Sequence, residues 1–152
     1  MEPTRTFSRD RYAQALESWA WTGADRMTPL FTSPFGDVFL AAEDGLYWLD
    51  TLRGTLTRRW SGRGELTTDL AAAAGQDEFL LLELAEAAHD RGLVPGPEEV
   101  YGFVVPPVLG GAFDASNVEV IDFVVSLTVS GQIHEQVKDL PPGTRITGIS
   151  VE

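Results

Sequence analysis

The chain has 152 residues, 43% hydrophobic and 10% aromatic, with no cysteine and two histidines. That length suits one domain able to bury roughly 70% of the surface its unfolded chain exposes. The missing thiols exclude a disulfide framework, an iron–sulfur or zinc-ribbon site and a cysteine nucleophile. Net charge is −12, and the whole excess lies after Arg63. The first 63 residues carry eight arginines and eight carboxylates; the rest carry Arg91, Lys138 and Arg145 against 15 acidic residues. Such a field repels nucleic acid and anionic membrane and speeds encounter with a cationic partner. No stretch approaches the ~20 apolar residues of a membrane span. Met1 to Asp10 is polar and lacks the apolar run of a signal peptide, so a cytoplasmic location is expected.

In chain order, residues 1–7 read as a flexible tail and 8–152 as one domain. Ser8 is placed to cap a first helix over about 9–21, with Phe7 stapled to Tyr12 and Thr22-Gly23 as its stop. An antiparallel meander follows. Val38–Glu43 and Leu46–Asp50 flank Asp44-Gly45, a type I′ hairpin signal, and a turn at Arg53-Gly54 leads into Thr55–Trp60. Leu46 and Trp48 fall on one face of their strand, Tyr47 and Leu49 on the other, which predicts a strand covered on both sides.

Two helices are expected next, Glu65–Ala74 ending at Gly75, and Asp77–Arg91 with acidic residues first and His89 and Arg91 last. Pro95-Gly96-Pro97 breaks the chain. Val100–Val105 reads as a strand stopped by Pro106-Pro107, and a Gly110-Gly111 turn follows. Ile121, Phe123, Val125, Leu127 and Val129 alternate as a strand would. Ile133, Val137 and Leu140 then change to helical spacing behind a Ser130 cap, and Arg145–Val151 closes as a short strand. The fold class is α+β: a single domain with an antiparallel sheet, hairpin and meander plus later strands, flanked by helices.

Catalytic patterns are lacking. His134-Glu135 opens like a zincin helix, but Lys138 stands where the second histidine belongs. The chain contains no P-loop, dinucleotide fingerprint or G-x-S-x-G elbow. Turn and strand-end chemistry accounts for Asp37, Asp44 and Asp50, and His134 reads as a structural hydrogen-bonder. No enzyme, metal or cofactor is expected. The four tryptophans read as core, and Gly110-Gly111 as a turn demanding positive φ.

Several stretches together carry a resemblance: Ala20-Trp21, Phe35-Gly36-Asp37-Val38-Phe39-Leu40, Trp48-Leu49-Asp50, Gly92-Leu93-Val94-Pro95-Gly96, Tyr101-Gly102-Phe103 and Pro106-Pro107-Val108-Leu109-Gly110-Gly111. Asn117-Val118, Gly131 to Gln136 and Leu140-Pro141-Pro142-Gly143 continue the series. In this order they resemble the C-terminal domain of immunity proteins against type VI secretion DNase effectors (Tdi-like), over about residues 8–145. A looser similarity extends to the SMI/KNR-like immunity superfamily. The resemblance implies an α+β, non-enzymatic protein that neutralises a cognate toxin, a DNase encoded nearby; the charge adds that this toxin is cationic and that nucleic acid and membrane are not bound. The alternative is a ligand-binding or regulatory module of the SMI/KNR-like type without a toxin partner. Neither reading sets an oligomeric state. Partner-binding residues are expected among acidic side chains in or beside loops and helix ends: Glu98, Glu99, Asp114, Glu135 and Asp139.

Overall fold

The computed structural model describes residues 2–141, 143, 144, 148 and 151. Helix α1 (Arg9–Glu17) begins as its sequence predicts: the Ser8 hydroxyl accepts from the Arg11 amide at 3.3 Å, and Phe7 meets Tyr12 edge-on at 5.9 Å. The helix is shorter than expected, because two 3-10 turns take over between Ala20 and Arg26, with Gly23 (φ +90°) as a left-handed hinge between them. Within the stretch read as a tail, Arg5 exchanges backbone hydrogen bonds with Thr32, and Phe7 stacks on Phe123 at 4.1 Å.

Strand β1 (Thr28–Thr32) has no counterpart in the sequence reading. It carries Pro29 and a register shift beside it, which an edge strand tolerates because one side of its backbone needs no ladder partner. β2 (Val38–Ala42), β3 (Gly45–Asp50) and β4 (Thr55–Trp60) complete an antiparallel sheet in sequence order. The β2–β3 turn differs from the type I′ expectation. Ala42 pairs with Gly45, so Glu43 and Asp44 form the turn, and of the pair Asp44-Gly45 only Gly45 has positive φ. Glycine is needed there because a Cβ would lie 2.7 Å from the Trp60 carbonyl.

β3 is covered on both faces, as its alternation predicts. Leu46 and Trp48 pack with Phe39, Trp60, Leu66 and Phe79; Leu49 faces a second cluster with Leu16, Trp19, Leu40 and Leu127. The first face is covered by α2 (Arg63–Ala71) and α3 (Ala73–Leu80), after which α4 (Leu82–Asp90) turns away. These three helices replace the two expected. Gly75 does not end a helix: it lies inside α3, where a Cβ would sit 1.8 Å from the Asp69 carbonyl, so it permits the tight α2–α3 corner. The second break falls at Leu81, a non-glycine residue at φ +50°.

A separate hairpin, β5 (Glu99–Phe103) with β6 (Val118–Asp122), joins α4 through a third cluster of Phe35, Ala85, Ala88, Tyr101 and Val118. Between its strands Gly110 sits at φ +94°, and a Cβ on Gly111 would lie 1.7 Å from the Val105 carbonyl, so both serve the turn.

The largest correction concerns residues 121–140. The strand ends at Asp122, whose carboxylate caps helix α5 (Phe123–Val137) through the Val125 amide at 3.1 Å. Ser130 is mid-helix and caps nothing; its hydroxyl bonds the Leu127 carbonyl. The alternation was real but does not belong to a strand alone. Phe123, Leu127, Gly131 and His134 are buried, while Ser126, Val129, Ser130 and Ile133 line a groove. Ile121 belongs to β6, Phe123 and Leu127 to the buried face of α5 and Val129 to the groove, while Val125 is half exposed, so the period-two pattern joins the end of a strand to several faces of a helix. The strand expected at Arg145–Val151 falls largely outside the described residues.

The α1–α5 contact is close: a Cβ on Gly131 would stand 2.5 Å from the Ser18 carbonyl. On an exposed helix Gly→Ala stabilises by roughly 0.5–1 kcal/mol. Here overpacking should reverse the sign, with Gly131→Ala costing about 1–3 kcal/mol and lowering Tm by about 3–10 °C in a thermal melt.

Candidate functional site

A polar cluster lies where the loop after β1 meets the β3–β4 turn. One step beyond the last β2–β3 ladder pair, Val38 with Leu49, Asp37 comes to face Asp50, and both are buried. The Thr51 amide (2.9 Å) and hydroxyl (2.5 Å) donate to Asp37 Oδ1. Asp50 accepts from the Leu52 and Arg53 amides at 3.0 and 3.1 Å and pairs with the Arg53 guanidinium at 2.8 Å. Burial, followed by the charge of Asp50, pushes the Asp37 carboxyl up to about 7, against the opposing pull of the Thr51 bonds.

His134 of α5 closes the cluster. Its Nε2 lies 2.8 Å from the Thr51 carbonyl, which can only accept, so the ring donates there. Burial pushes its pKa down and favours the neutral ring. A Cβ on Gly54 would overlap the imidazole at 2.4 Å, so glycine at this turn makes room for it. His134 is a structural hydrogen-bonder, as its sequence context suggests, although it sits near the end of a helix rather than the start.

Beside the cluster opens a groove of about 250 Å³. It is lined by Phe35 and Phe103, by Ser126, Val129, Ser130 and Ile133 of α5, by Val104, Pro106, Pro107 and Val108 of the hairpin loop, and by Asp37 and Thr51. Glu119 is the other carboxylate among its lining residues, which include no lysine or arginine. An adjoining depression shares Asp37, Leu52 and Leu81 and adds Asp50, Asp77 and Glu78 against Arg53. Phe113 edges it, with its ring 5.8 Å from that of Phe103. Half of the eight large apolar residues exposed among those described come from this one loop: Val104, Val105, Val108 and Phe113.

The five acidic residues singled out in the sequence do not form one patch. Glu98 pairs with Arg11 at 2.6 Å, and its carbonyl accepts from the Phe123 amide at the start of α5. Half-buried Glu99 accepts from the Gly96 amide at 2.8 Å. Exposed Asp114 caps Ser116, and the Ser116 hydroxyl followed by its amide lowers the Asp114 pKa. Exposed Glu135 and Asp139 lie at the far end of α5, roughly 20 Å away at 1.5 Å per residue; Asp139 is 3.3 Å from Lys138. Sequence reasoning assigned Asp37 to turn chemistry and overlooked the groove. The available signal was an acid embedded in Phe35-Gly36-Asp37-Val38-Phe39-Leu40, where apolar residues on both sides leave a carboxylate little access to water. Among the described residues, no cluster of histidines and carboxylates could hold a metal ion, and no helix is long and apolar enough to cross a membrane.

This α+β architecture has a solved counterpart. The crystal structure of Atu4351 from Agrobacterium tumefaciens matches 80% of this chain with a TM-score of 0.53 at 19% identity, a likeness of fold. The chain spans 62% of that structure's length. Residues 65–134, from α2 to the buried histidine of α5, match the family described as T6SS immunity protein Tdi1, C-terminal. Over that span the resemblance carried by Tyr101-Gly102-Phe103 and Pro106–Gly111 holds; the pieces before Glu65 and after His134 lie outside it. No curated protein matches the chain.

The buried acid makes a signed prediction. A carboxyl whose folded pKa exceeds its unfolded value binds more protons when folded, so its contribution to stability is lost as pH rises from about 4 to about 7. His134 acts oppositely, costing stability as pH falls through the ordinary histidine range. Asp37→Asn keeps an acceptor for Thr51 and removes the titration. Melts from pH 5 to 8 should show the Asp37→Asn variant gaining on wild type as pH rises; a constant difference would contradict the assignment.

Proposed function

We propose that the chain is a non-enzymatic immunity protein that binds and neutralises a cognate toxin effector, a cationic nuclease encoded nearby, in the bacterial cytoplasm. The observation that carries this reading is the match of residues 65–134 to a family of T6SS immunity proteins. We take the domain over residues 8–152, with Arg5 and Phe7 of the preceding stretch held against it. Charge supports the reading: a nuclease needs a cationic surface to hold phosphate, and an inhibitor at −12 is drawn to it. The bonding of His134 to the Thr51 carbonyl supports a structural role over that of a catalytic base.

Glu98, Glu99, Asp114, Glu135 and Asp139 supply attraction at long range. Spread along the length of α5 and the neighbouring loop, they act through the summed field more than through one contact. A second reading, a ligand-binding or regulatory module of the SMI/KNR-like type, is favoured by the apolar groove and predicts a thermal shift with a small molecule. The first reading predicts tight binding to the product of the adjacent gene and loss of that product's toxicity. Reversing the five acids to lysine should slow association about ten-fold or more at low salt and flatten its salt dependence in stopped-flow measurements. Unchanged kinetics would remove the steering role.

A further inference from the structure

We infer that the groove between α5 and the 104–108 loop is the anchor site for a basic, apolar segment of the partner, which inserts an arginine or lysine side chain toward Asp37. This inference rests on the immunity reading. Three observations select the occupant. The groove holds about 250 Å³ and adjoins a depression of about 330 Å³ that shares Asp37, Leu52 and Leu81, room enough for a long side chain delivered by a partner. Its charged lining residues are Asp37 and Glu119, and the adjoining depression adds Asp50, Asp77 and Glu78 against Arg53. Its rim is apolar and exposed, with Val104 59% and Val108 37% accessible.

A long cationic side chain matches that arrangement, because its methylene stem covers apolar walls while its head reaches a carboxylate. Interface anchors are enriched in arginine and in residues that fill desolvated pockets. Ser126 and Ser130, one helical turn apart on α5, face the same space and can accept the remaining N–H groups. A second copy of this chain is a poor occupant, since each brings −12. The groove thus supplies short-range grip, while the dispersed acids supply approach.

The test is calorimetry of the full chain against the product of the adjacent gene, with Val104→Asp, Val108→Asp and Asp37→Asn, plus sedimentation of the chain alone. The valines are exposed, so both aspartate variants should melt like wild type. Each should bind about thirty-fold more weakly, the loss expected at an anchor position, and Asp37→Asn should weaken binding about ten-fold. Wild-type binding with both valine variants unaffected would overturn the groove and leave the immunity reading standing. Weakened valine variants with Asp37→Asn unchanged would overturn the cationic anchor. A dimer of the chain alone that the valine variants dissociate would make the groove a self-interface, against the proposal. A wild-type chain that does not bind would overturn the immunity reading, and this inference with it.

Discussion

The structure depends on β3 being buried from both sides. A strand in a small domain commonly rests one face on the core and gives the other to water. Here Leu46 and Trp48 require helices on one side and Leu49 requires them on the other, so the meander becomes a central layer. Trp19 fixes the second layer, because its buried indole Nε1 donates to the Leu127 carbonyl at 2.9 Å and ties the turn after α1 to α5. Each large side chain fully buried in these clusters contributes about 1.5–3 kcal/mol. The third cluster, under Phe35 and Tyr101, attaches the β5–β6 hairpin to this frame. The Tyr101 hydroxyl donates to the Leu93 carbonyl at 2.6 Å, anchoring the hairpin to the segment after α4.

The groove follows from that frame. α5 must bury Phe123, Leu127 and His134 against α1 and the sheet, and a helix that does so turns its Ser126–Ile133 stripe toward the hairpin loop. Pro106 and Pro107 stiffen that loop, and Asn117 holds it from behind, donating from its side chain to the Val105 and Ala112 carbonyls at 2.8 Å. Val104 and Val108 are left at the rim.

What was legible in the sequence was local. The Ser8 cap, the presence of a hairpin at Asp44-Gly45 though not its turn type, the two-faced alternation of β3 and the end of α4 near Gly92 all depend on residues within a few positions of one another. What was missed depends on contacts distant in sequence. Pro29 disguised an edge strand. Gly75 looked like a helix stop because its real constraint, the Asp69 carbonyl, appears only once two helices meet at a corner. The alternation from Ile121 to Val129 suggested a strand because it runs from the end of β6 into α5, where exposed Val125 falls between buried Phe123 and Leu127. The candidate site was less legible still, since it combines the loop after β1, the β3–β4 turn, the hairpin loop and α5. The charge asymmetry after Arg63 was readable at once, yet it gives a field and not a surface.

In the proposed reading, long-range attraction resides in many weakly specified carboxylates and specificity in a small apolar groove with a buried acid. The most direct measurement is amide hydrogen exchange of the full chain, free and mixed with the product of the adjacent gene. The account predicts added protection concentrated at Thr51-Leu52, at Phe103–Gly111 and on the Ser126–Ile133 stripe. Protection confined to α2 and α3, with the groove exchanging as in the free chain, would contradict it.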